Sequence, residues 1–208
     1  MTNTKRIASL IGATLLFSLP ACSSQRLDEA TNLTPAPETQ EVVETEEETE
    51  PSTTLKWVGE NFDENERYVL EFLQARGITD RAALATILGN IKQESRFKPT
   101  VCEGGALTGY NRCYSGGFGL IQWTTQGRYD GLGRHARATG GSPTDLNTQL
   151  AYLVTEVEWK KVEHIFKDEG RSIGSYMQAA YRWLGWGVHG NRTLYAQDYF
   201  NRLSLNAD

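Results

Sequence analysis

ATILGNIKQESRFKP, residues 85–99, decides how this chain is read. Asp80 is placed to cap a helix, and the apolar spacing carries that helix from Arg81 to Ser95, with Pro99 barring its continuation. On the helical wheel Glu94 lies about 20° from Ile87 and about 60° from Ile91, so an acid sits on the apolar face in the last turn. Burial and the negative end of the helix dipole both disfavour a carboxylate there, which predicts a raised pKa. A carboxyl kept protonated near neutrality is what general-acid cleavage of a glycosidic bond requires. The residues alone also allow a plainer reading, a helix-end Glu that reaches water or pairs with an Arg such as Arg96.

GGFGLIQW, residues 116–123, comes at short range after it. Glu94-Ser95, Phe97 and Pro99, then Gly119-Leu120-Ile121-Gln122-Trp123, resemble the lysozyme-like superfamily, phage tail-type lysozyme domains in particular and lytic transglycosylases more loosely. Gln178-Ala179-Ala180-Tyr181 is similar to a late Ala-Tyr motif of the transglycosylases. The resemblance spans about residues 60–205. It implies that Glu94 is the catalytic acid and that Gln122 lines a sugar cleft. It also implies a mainly α, α+β lysozyme-like fold, a helical domain with a small β or irregular lobe and a cleft between the two. The expected reaction is cleavage of the β-1,4 link between N-acetylmuramic acid and N-acetylglucosamine, by hydrolysis or by lytic transglycosylation. Hydrolysis would call for a second carboxylate. Glu103 is the one acid between the helix and Asp130, although a solvated loop acid is the plainer reading of it.

The ends of the chain speak to its compartment. Lys5 and Arg6, the apolar run Ile7–Leu19 and Leu19-Pro20-Ala21-Cys22 read as a lipoprotein signal over residues 1–22, with Cys22 as the lipidated residue. Residues 23–54 read as an acidic linker, too poor in large apolar residues to form a core. Residues 55–208 then form the catalytic domain. The expected location is extracytoplasmic, tethered to a membrane through an N-terminal lipid anchor. Nearly all of the acidic balance lies in the linker, and the domain itself is close to neutral. Such a charge suits peptidoglycan glycan strands and argues against nucleic acid as a partner.

In an oxidising compartment Cys102 and Cys113 are expected to pair as a disulfide. The competing reading keeps Cys113 as the nucleophile of a cell-wall peptidase, and a third makes the chain a non-catalytic peptidoglycan-binding lipoprotein. His135, His164 and His189 are isolated, without the spacing of a zinc site, so no metal or cofactor is expected.

Elsewhere the pattern predicts helices over Glu64–Arg76, Arg128–Thr139, Ile173–Leu184 and Thr193–Leu203. A long helix is expected from Ser142-Pro143, with Leu146, Leu150, Leu153 and Val157 on one stripe. Residues 100–125 suit a hairpin or irregular lobe. Trp57, Trp159 and Trp183 read as core, whereas Trp123 and Tyr181 are candidates for stacking on sugar rings. Ser95 is placed either to orient Glu94 or to cap the helix end.

Overall fold

A computed structural model describes residues 55–113 and 116–207. The expected signal segment with Cys22 and the expected acidic linker lie outside the described residues.

Local sequence accounts for most of the helices. In α1 (Glu64–Gln74), Asp63 accepts from the Glu66 amide while the Glu66 side chain accepts from the Asp63 amide, a reciprocal cap. The helix ends two residues before the expected Arg76, and Gly77 comes next with φ 79°. Helix α2 spans Arg81–Ser95 with Asp80 bonded to the Ala83 amide, the expected boundaries. Helices α3 (Gln126–Thr139), α7 (Ile173–Leu184) and α8 (Arg192–Arg202) fall within two residues of their predicted ends.

Helix α2 is the axis of the domain. Eleven of its fifteen residues are buried, on every side of the helix. Its closest neighbour is α8. At Gly89 an added Cβ would lie 2.4 Å from the Ala196 amide nitrogen, so only glycine admits this approach. Helix α7 covers another side and brings Tyr176, Ala179, Ala180 and Trp183 into the same core.

Two expectations are corrected. The long helix after Pro143 is three pieces, α4 (Leu146–Leu153), α5 (Val157–Lys160) and α6 (Glu163–Lys167). The chain turns at Val154–Glu156 because Glu156 is drawn inward by Arg128 and Trp123. Val157, expected on the apolar stripe, is 60% exposed. The only sheet among the described residues is not in the lobe. Strands β1 (Leu55–Gly59) and β2 (Leu203–Ala207) pair antiparallel at the two ends of the domain.

The lobe between α2 and α3 has isolated bridges, such as Cys102 with Phe118, and one short 3-10 turn, Tyr110–Arg112. Here the irregular alternative holds rather than a hairpin. The described domain is mainly helical with one small sheet, the α+β class expected.

Candidate functional site

Glu94 occupies the last turn of α2, and the backbone just beyond that turn is unusual. Arg96 (φ 51°) and Phe97 (φ 59°) are both left-handed without being glycine. They end the helix at Ser95, four residues before Pro99, which is therefore not the stop. Such conformations cost about 1–2 kcal/mol each and persist only when their surroundings fix them. Phe97 is buried in the core and its carbonyl accepts from Asn65 Nδ2 at 3.0 Å.

Ser95 neither orients Glu94 nor caps the helix. Its hydroxyl donates to the Leu120 carbonyl at 2.7 Å and so joins the two sequence motifs. Gln149, fully buried on α4, completes the joint. Its Oε1 accepts from the Leu120 amide at 2.7 Å and its Nε2 donates to the Pro99 carbonyl at 2.6 Å. The glycines of the second motif make room for these contacts. A Cβ on Gly119 (φ 74°) would lie 2.7 Å from the Gln149 amide group, and one on Gly117 would lie 2.6 Å from Gln122 Cβ. Gln122 is itself left-handed (φ 52°), and its Nε2 donates to the carbonyls of Gly119 and Val101 at 2.9 and 3.2 Å.

Two concavities, of about 580 and 480 Å³, meet at this point. Glu94, Gln122 and Thr124 line both. The first limb continues along Lys98, Glu103 and Gly104 of the lobe; the second runs past Arg128, Trp186 and Arg192. Glu94 is the one acid at the junction, with its side chain 15% exposed.

The electrostatics centre on Arg192. Its Nη2 donates to Glu94 Oε1, its guanidinium lies over the Trp186 ring at 4.6 Å, and its side chain is 5% exposed. Burial raises the Glu94 pKa, and the charges of Arg192 and Arg128 only partly offset that rise. Burial likewise lowers the Arg192 pKa despite the pull of Glu94. On both sides of the pair, desolvation outweighs attraction. Arg128 is fixed separately by a two-point bond to Glu156, at 2.7 and 2.8 Å.

Among the sequence candidates, Trp123 is a correction. It is 0% exposed and donates from Nε1 to Glu156 at 3.0 Å, so its ring is core and out of reach of a sugar. Trp159 and Trp183 are core as expected, and Trp57 is partly buried. Tyr181, 54% exposed, lies outside both limbs in a neighbouring groove, edge-on to Trp186. Glu103 is exposed on the wall of the first limb, where it accepts from the Gly117 amide at 3.2 Å. Cys102 and Cys113 are bonded, S–S 2.02 Å, so Cys113 is no free thiolate and the peptidase reading fails.

Arg192, Arg128 and Glu156 escaped the sequence reading. Arg192 left one trace. A cation in the first turn of a helix faces the positive end of its dipole and needs a carboxylate partner, here one found 98 residues away.

A family model described as phage tail lysozyme matches residues 64–203, from α1 to the start of β2. No curated protein matches the chain.

Proposed function

This chain belongs to the phage tail lysozyme family, a family of lysozyme-type, peptidoglycan-cleaving domains, and from that premise we propose that Glu94 is its general acid. The substrate bond is the β-1,4 link between N-acetylmuramic acid and N-acetylglucosamine. The glycan would lie along the two limbs, with the scissile bond over Glu94. The carboxyl gives its proton to the bridging oxygen as the C1–O bond breaks and positive charge develops on the ring. The carboxylate left behind faces Arg192 and Arg128, which favour it. One observation carries this reading: Glu94 is the single acid shared by both limbs, and it is buried enough for its pKa to be raised.

Two completions share this first step. In hydrolysis a water adds to C1 and loses its proton to a carboxylate. Glu103 is the only other acid on either limb wall among the described residues. In transglycosylation the sugar's own 6-hydroxyl closes on C1, and Glu94 takes the proton back. The first product has a free reducing end. The second is a 1,6-anhydro sugar lighter by one water, so mass spectrometry of the released fragments separates them.

Glu94→Gln tests the assignment. Turnover of purified peptidoglycan should fall by about 10²–10⁴-fold while sedimentation with the wall is unchanged. Activity within about tenfold of the parent would reject Glu94 as the acid. Wall binding by the parent with no fragments released would instead favour the non-catalytic binder.

A further inference from the structure

A third concavity, of about 580 Å³, opens at Thr124, the residue that also lines both limbs at Glu94. The cleft is therefore branched. One wall of the branch is a face of α3. Gln126, Asp130, Arg134 and Arg137 line it and fall within an arc of about 80° on that helix. The other wall is the lobe, which contributes Tyr110 and Asn111.

This branch is built rather than incidental. Tyr110 and Tyr129 stack at 4.3 Å with an 11° interplanar angle, and each hydroxyl donates to the other's carbonyl. Gly133 lets the lobe settle on α3, since a Cβ there would lie 2.7 Å from the Tyr110 hydroxyl. Arg134 and Arg137 are exposed, and neither forms an ion pair with another described residue. Like charges three apart on a helix disfavour it by a few tenths of a kcal/mol. Asp130 is the one acid in the lining, and Gln126 already donates to it at 2.8 Å. Arg137 suits the last turn of α3, where a cation faces the negative end of the helix dipole, but with no carboxylate held in an ion pair both guanidinium groups stay open to an anionic ligand.

The substrate has the matching shape. Peptidoglycan is a branched polymer in which each muramic acid carries, through its lactyl group, a short peptide bearing carboxylates. A glycan lying along the limbs needs an exit for that peptide close to the scissile bond. Resting on the proposed function, we propose that the third limb receives the peptide substituent, with Arg134 and Arg137 binding its carboxylates. Charge-assisted bonds from guanidinium groups suit that task. The enzyme would thereby prefer peptide-bearing glycan to the bare polysaccharide.

The full-length protein and its Arg134→Ser/Arg137→Ser double variant supply the test, with two substrates: intact peptidoglycan, and the same glycan stripped of peptides by an amidase. The ratio of kcat/KM on the intact to the stripped glycan should fall at least about tenfold in the double variant. An unchanged ratio, including an equal loss on both substrates, would overturn the subsite. Titration with a soluble muramyl peptide reads the branch without turnover. Its Kd should rise at least about tenfold in the double variant, and an equal Kd would again overturn the subsite. A parent that binds the peptide but cleaves neither glycan would reject the catalytic reading and leave the peptide subsite standing.

Discussion

Residues 81–95 and residues 96–123 are consecutive in the chain and line the same cleft, yet different forces hold them. Helix α2 is surrounded by apolar side chains, and two of its buried polar ones donate back to its own backbone: Thr86 to the Ala82 carbonyl and Asn90 to the Thr86 carbonyl. The lobe has no regular strand among its described residues. A disulfide, side-chain bonds from Ser95 and Gln149, and a few buried anchors such as Phe97, Phe118 and Trp123 hold it. The acid thus sits on the rigid, densely packed partner, and the opposite wall of the cleft is a locally tied loop. Precise placement of a proton donor calls for the first kind of support. A wall that must fit a bulky polymer tolerates the second.

Crowding the α2–α8 contact should do the most damage. A Cβ at Gly89 meets backbone rather than a movable side chain, and the Glu94–Arg192 pair lies on the same interface. Gly89→Ala is expected to cost upwards of about 3 kcal/mol in urea unfolding, the top of the usual overpacking range. A loss under about 1 kcal/mol would mean that the axis is looser than its packing indicates.

The lobe should respond next. Cys102→Ser/Cys113→Ser removes a cross-link between residues 11 apart, worth about 2–3 kcal/mol by loop closure. Hydrogen exchange should speed up in residues 100–123 while α2 and α8 keep their protection. Equal loss of protection in both regions would erase the contrast between them.

Arg96→Gly works in the other direction. Glycine adopts the left-handed turn freely, so the variant should gain about 0.5–1 kcal/mol in unfolding free energy. Loss of stability would show that the Arg96 side chain, exposed at this turn, has a structural task.

The smallest effect belongs to Glu94 itself. Its folded pKa lies above the unfolded value because burial disfavours the charge. Between those two values the folded state holds more protons, so this group's contribution to stability falls as pH rises across that interval. At pH 7 Glu94→Gln should then match or slightly exceed the parent, and the gap should close toward pH 4. Urea midpoints at both pH values read it. A variant weaker by more than about 1 kcal/mol at pH 7 would mean that the bond from Arg192 stabilises the fold outright.

Legibility tracked the range of the forces. The bounds of α2 and α7 could be read directly, since a cap and an apolar period act within a few residues, although the left-handed turn that stops α2 left no mark in the sequence. The face bearing Glu94 was equally plain. The segment after Pro143 misled because its apolar spacing continues through Val157, while the break comes from Glu156 bonding with Trp123 and Arg128. The same bond explains why Trp123, so well placed by its motif, is core.

By itself, then, the sequence determined the helical frame, the disulfide and the acid on the apolar face of α2, because periodicity, loop proximity and burial are local or pairwise properties. Only the tertiary structure decided that Glu94 meets Arg192, that the two ends of the domain pair as β1 and β2, and that the cleft branches at Thr124. Each of these joins groups far apart in the chain, and such contacts are set by how the helices pack, which no local pattern records.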